Sequence, residues 1–183
     1  NDHVVTALFS RRKSRGFYPD VAAYRLDRLL ELDMVPVSVR REVDGRDGSV
    51  QFYPPKIMDE ESRATQGRGY GATCPLGEQL MAMYVFDVLV YNEGRTRQRM
   101  LYDTRDWGLM LIEHDGAFGT EKGRPRHLAN VPLEFGNGWR AALDSLSDAV
   151  LDEKLSDVLS SRQLRALAGR RDEILAQQDA ANR

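Results

Sequence analysis

Between Leu76 and Tyr91 apolar side chains fall on nearly every face of a helical stretch, with Leu80, Met83, Tyr84, Phe86, Val88 and Leu89 leaving little polar surface. A helix of that kind has to be enclosed by protein, so the rest of the chain must wrap around it. With 183 residues, 42% of them hydrophobic, there is enough chain for one domain with a real core, or for two small lobes sharing one. Asp87 is the odd charge in the helix. A buried carboxylate needs a donor or it protonates, and Arg95 or a backbone amide of the following loop is the candidate partner.

The other elements follow from local pattern. Val4 to Phe9 reads as a strand, and Ser10 to Gly16, carrying Arg11, Arg12, Lys13 and Arg15, as a basic solvated loop. Pro19 and Asp20 open a helix in which Ala22, Ala23, Leu26, Leu29 and Leu30 recur at three- and four-residue spacing. Met34 to Val39 and Ser49 to Tyr53 flank Asp44-Gly45-Arg46-Asp47-Gly48, a hairpin pattern. Residues 54 to 75 carry several prolines and glycines and are expected as a surface connection. Within them Gly67-Arg68-Gly69-Tyr70-Gly71 lacks the preceding apolar strand that a dinucleotide fingerprint requires. Met100-Leu101-Tyr102 and Leu109 to Ile112 predict a second hairpin, residues 119 to 138 a loop, and the remainder helices. Leu143, Leu146 and Val150 form one stripe, and Ser160 to Gln163 offers a capping box before Leu164, Leu167, Ile174 and Leu175.

Charge excludes little beyond strong electrostatic partners. There are 26 basic and 28 acidic residues, so neither nucleic acid nor an anionic membrane is favoured. The lone Cys74 is expected as a buried or half-buried thiol and has no partner for an internal disulfide. No run approaches the ~20 apolar residues of a membrane span, and the chain reads as a soluble domain, cytoplasmic or exported with an N-terminal segment removed. Tyr91, Trp107 and Phe118 read as packing aromatics, and the late cluster of Arg162, Arg165, Arg170, Arg171, Asp172 and Glu173 as solvated surface or a docking face.

Four blocks in order carry a resemblance: Ala7-Leu8-Phe9; Asp20 to Val39; Phe86-Asp87-Val88-Leu89-Val90-Tyr91-Asn92; and Trp107 to Phe118. Together they resemble the bacterial kinase-like proteins related to the secretory-pathway (Golgi casein-kinase type) kinases and, more distantly, HipA-like kinases. Arg170 to Leu175 also resembles the helical tail of the bacterial members. The resemblance implies an α+β, protein-kinase-like fold, mainly the helical C-lobe with a partial or truncated N-lobe and a helical C-terminal tail. On that basis residues 1–58 are a partial N-lobe-like segment of strand, helix and β-hairpin. Residues 59–75 are then a linker, and 76–183 the C-lobe-like segment with a catalytic-loop remnant.

Phosphoryl transfer needs a lysine on the phosphates, a helix acid to hold it, a catalytic aspartate, and amide and carboxylate metal ligands. At the position of the family's lysine this chain has Ser10, with Arg11 adjacent, and at that of the helix glutamate Asp20. Of the catalytic loop Asn92 and Arg95 remain, but Gly94 stands for the aspartate and Arg99 for the metal-ligand asparagine, with Glu93 next to the gap. Glu113, before His114, holds the place of the metal aspartate, and Asp115 follows. Ser10, Arg11, Asp20 and Arg99 are therefore the candidate nucleotide contacts, and Glu113 and Asp115 the candidate metal ligands for ATP with Mg or Mn.

A general base contributes about 10²–10⁴-fold and phosphate or metal positioning more, so losing lysine, aspartate and asparagine together should nearly abolish turnover. The expected function is a pseudokinase-type scaffold or regulatory subunit that binds a protein partner. The alternative is a divergent ATP-dependent phosphoryl- or nucleotidyl-transferase using Glu113 and Asp115 for metal. A third reading treats Asn92, Arg95, Glu113 and His114 as a buried polar network that fixes the loops.

Overall fold

A computed structural model describes residues 5–12, 14, 16–68 and 74–181. Val4, Lys13, Arg15 and Gly69-Tyr70-Gly71, assigned above to a strand and two loops, lie outside them. Strand β1 (Ala7–Arg11) leads to helix α1 (Pro19–Leu29), then strands β2 (Ser38–Val43) and β3 (Arg46–Phe52). These strands form an antiparallel sheet in the order β1-β3-β2, with Phe9 opposite Val50 and Val50 opposite Val39. The hairpin turn is tighter than the sequence predicted: only Asp44 and Gly45 lie outside the strands, both at positive φ (51° and 72°). That is the geometry whose twist matches the flanking strands. Ser10 and Arg11, expected in the basic loop, belong to β1.

The stretch read as a surface connection carries β4 (Ile57–Asp59) and helix α2 (Glu60–Thr65), capped by the Asp59 carboxylate accepting from the Ser62 amide at 2.7 Å. Three residues of strand next to a six-residue helix leave little periodicity to detect. β4 pairs with β5 (Met100–Asp103), which pairs with β6 (Leu109–Leu111), the predicted second hairpin.

Helix α3 (Leu76–Leu89) runs through the core: Met83, Val85, Phe86, Val88 and Leu89 are buried, packed with Leu26 of α1, Tyr102 of β5 and Leu111 of β6. Helices α4 (Asn137–Ser145), α5 (Asp148–Leu155) and α6 (Ser161–Ala181) close the far side through Leu143, Leu151, Leu155, Leu167 and Ile174. The predicted capping box is formed: the Gln163 amide donates to Ser160 Oγ at 3.4 Å, and the Ser160 amide to Gln163 Oε1 at 2.9 Å.

Two expectations are corrected. Cys74 is exposed, because it precedes α3 rather than lying in it. Arg170, expected at the surface, is only 2% exposed. It sits on the α6 face that meets the end of α3 and donates to Leu89 O at 2.8 Å.

The first sheet is inverted relative to the usual wet-outside pattern. Ser38, Ser49 and Gln51 are buried on its inner face, whereas Val37 (52% exposed) and Phe52 (39% exposed) lie on the outer one. The register puts Phe9, Val39 and Val50 on that same outer face.

Candidate functional site

The site is assembled where the loop after α3 meets the loop after β6 beneath the polar face of the first sheet. At its base Asp87 is held by Arg95 in a bidentate pair, Nε to Oδ2 at 2.8 Å and Nη2 to Oδ1 at 2.9 Å, both side chains buried. This is the partner the sequence called for. Asn92 Nδ2 donates to the same carboxylate at 2.9 Å, and Asn92 Oδ1 accepts from the Gly94 amide at 2.9 Å. Arg95 Nη1 reaches Arg99 O at 3.0 Å and Ile112 O at 3.3 Å, tying the first loop to the second.

His114 closes the network. Its Nε2 lies 3.2 Å from Arg95 Nη2. A guanidinium only donates, so Nε2 is the acceptor and the proton of the neutral ring sits on Nδ1, which has no hydrogen-bond partner among the described residues. Complete burial, followed by the charges of Arg95 and Arg99, pushes the His114 pKa well below the usual imidazole value. A ring whose basic lone pair is taken by an arginine is in no position to accept a substrate proton. Its edge packs against Phe86, ring centroids 5.9 Å apart.

The first sheet fixes this loop from above. Asp20 in the first turn of α1 is buried; its Oδ2 accepts from Ser49 Oγ at 3.0 Å and its Oδ1 from the His114 amide at 2.8 Å. Gln51 Oε1 accepts from the Glu113 amide at 3.2 Å while its Nε2 donates to Ser38 Oγ at 2.9 Å. Ser10 and Arg40 both lie opposite Ser49 in the register, so the position of the family's lysine holds a hydroxyl, while Arg40 sits over the Tyr18 ring at 4.3 Å and donates to Tyr18 Oη at 3.2 Å. Arg11 is at the exposed end of β1. Ser49 and Gln51 were missed from sequence because polar residues alternating with Val50 and Phe52 read as the solvent face of a strand.

Arg99 occupies the centre. Its Nε pairs with Glu113 Oε2 at 2.9 Å and its Nη1 with Asp115 Oδ1 at 2.8 Å, while Nη1 also donates to Gly94 O at 3.1 Å. Glu113 and Asp115 do converge, but on a guanidinium. A Cβ placed on Gly94 would stand 2.7 Å from Arg99 Nη1 and 3.3 Å from Asn92 Oδ1, so Arg99 fills the space a side chain at 94 would need. Glu93 points away, accepting from the Arg126 amide at 3.3 Å.

As they stand, Glu113 and Asp115 do not fit a divalent ion: a fixed positive charge sits between the two carboxylates and repels another cation. Among the described residues no group of three His, Cys, Asp or Glu side chains is arranged to hold a metal. Strain marks the same loops: Tyr91, Glu113 and Phe118 are non-glycine residues at φ 49°, 53° and 60°. Such residues cost about 1–3 kcal/mol each and persist where neighbours over-determine them. Here the Phe118 amide bonds Val90 O at 2.6 Å and the Asn92 amide bonds Asp87 O at 2.8 Å.

No family model matches the chain, and no curated protein sequence does either. Among solved structures, the crystal structure of the Helicobacter pylori proinflammatory kinase CtkA superposes with a TM-score of 0.59 at 11% identity, covering 97% of this chain and 91% of that one. The fold is kinase-like. At that identity the likeness speaks for the architecture alone, and among the described residues no helix is long and apolar enough to cross a membrane.

Proposed function

We propose that this kinase-like domain transfers no phosphate and acts as a protein-binding scaffold or regulatory subunit. The observation that carries the reading is Arg99, bonded at once to Glu113, Asp115 and the Gly94 carbonyl. It neutralises the two carboxylates that a metal would need and fills the volume next to Gly94. Ser10 offers no charge for a nucleotide phosphate, and Arg40, on the same face of the sheet, is engaged with Tyr18. Binding of a protein is supported by the apolar outer face of the first sheet, where Val37, Val39 and Phe52 are exposed beside half-buried Phe9 and Val50.

The test is thermal unfolding with ATP, ADP and GTP, with and without Mg²⁺ or Mn²⁺, beside a radiolabel transfer assay. A surviving site would stabilise the fold by about 2.7 kcal/mol at a hundredfold excess over Kd. The expected result is no metal-dependent shift and no transfer; ATP-dependent phosphorylation by the intact protein overturns the proposal. A divergent transferase is the second reading, favoured by one fact: Glu113 and Asp115 already converge on one cation. It requires Arg99 to leave, so it predicts metal-dependent stabilisation that Glu113→Ala abolishes.

A further inference from the structure

The far side of the molecule holds a charge that the kinase-like site does not use. The Arg170 guanidinium is buried against three carbonyls: Nε donates to Leu89 O at 2.8 Å, Nη1 to Gly119 O at 3.1 Å and to Glu121 O at 3.0 Å. Among the described residues its Nη2 has no hydrogen-bond partner and no carboxylate comes within ion-pair distance of it. The Tyr91 ring lies 5.6 Å from its Cζ, and Glu121 and Glu173 act on it from beyond ion-pair distance, so its charge is compensated only in part, and burial of such a charge is costly. Burial lowers its pKa to about 10, so it stays protonated at neutral pH.

Arg170 lines a cavity of about 470 Å³ between α6 and the loop Thr120-Glu121-Lys122. The α6 wall is one stripe, Arg162, Arg165, Ala166, Gly169, Arg170 and Glu173, spaced three or four residues apart. Gly169 leaves room on it, since a Cβ there would meet nothing within 4 Å. Arg162, Arg165 and Lys122 are exposed and form no ion pair with a described residue. Glu121 and Glu173 also line the cavity, so four cations face two carboxylates, leaving a net positive wall in a chain whose formal net charge is −2.

We propose that this cavity binds a phosphate monoester, with Arg162, Arg165 and Lys122 as the approach and Arg170 as its buried positive floor. A phosphate offers several acceptor oxygens to arginine donors and adds to the partial compensation from Glu121 and Glu173, against which the wall still holds an excess of two cations. Arg99, Glu113 and Asp115 are not among the residues that line the cavity. Two sources share this chemistry, a free phosphorylated metabolite or a phosphorylated side chain.

The test is titration of the whole chain with inorganic phosphate and with a capped phosphothreonine peptide, at constant ionic strength. The unphosphorylated peptide and chloride serve as references, with binding followed by calorimetry and ³¹P line width. Saturable binding is expected, weakened about tenfold or more in Arg162→Ala/Arg165→Ala and left unchanged in Lys154→Ala, an exposed cation elsewhere. Both arginines are at the surface, so circular dichroism should show the double variant folded. Tighter binding of the phosphopeptide than of free phosphate would point to a protein source, the reverse order to a metabolite. No saturable binding, or equal binding by wild type and the double variant, overturns the proposal and leaves Arg170 as a clamp on the ends of two loops. Neither outcome bears on Arg99, so the scaffold reading stands or falls separately.

Discussion

Gly94 and Arg99 should behave as one unit, and Gly94→Ala in two backgrounds tests it. Position 94 is not at positive φ, so alanine brings no backbone strain; it brings one methyl, 2.7 Å from Arg99 Nη1 and 3.3 Å from Asn92 Oδ1. Arginine can yield at its tip, but yielding loosens the contacts to Glu113, Asp115 and the Gly94 carbonyl. Glu113 and Asp115 are 41% and 40% exposed, so each ion pair is discounted for solvent to about 0.2–1 kcal/mol. With the hydrogen bond to the Gly94 carbonyl, Gly94→Ala should cost about 1–2 kcal/mol in the wild-type background. In Arg99→Ala the 2.7 Å clash is gone and the 3.3 Å contact with Asn92 Oδ1 is left, and the lower entropy of the unfolded chain should make the same change neutral or stabilising by up to about 1 kcal/mol. The cycle therefore predicts a coupling of about 1–3 kcal/mol between the two positions, read from urea unfolding at matched m-values. Additivity within about 0.5 kcal/mol would refute the idea that Arg99 occupies the space and charge of a lost site.

Other outcomes follow from the same geometry. Asp87→Ala leaves the buried Arg95 guanidinium without its counter-ion and should cost about 3–5 kcal/mol in chemical denaturation. His114 is a base whose folded pKa is depressed, so its contribution is complete above the unfolded value near 6.5. As pH falls through that value, stability should drop by up to about 1.4 kcal/mol per pH unit from this residue, and His114→Gln should flatten that slope in denaturation curves between pH 7 and 5. Ser160→Ala removes the acceptor for the Gln163 amide and should lower stability by about 0.5–2 kcal/mol in thermal melts, with Gly appreciably milder.

The sequence by itself determined the order of the longer elements, the enclosed helix from Leu76, and which residue types stand in the loop after it, because residue identity and short-range periodicity are local properties. Glycine at 94 has no functional group in any fold, and an all-round apolar helix can only be central. The tertiary structure decided which partners the polar groups found. The alternation Ser49-Val50-Gln51-Phe52 fixes that two faces differ but not which one is wet; α1 and the loop after β6 made the polar face the buried one, through Asp20 and Glu113. Glu113 and Asp115 were legible as neighbours on one side, while the arginine between them comes from a residue fourteen positions earlier, across a hairpin. Arg170 sits among charged residues that read as surface, and only the packing of α6 against the end of α3 buries it. Charges are written in the sequence, but their compensation is set by distances between segments remote in it.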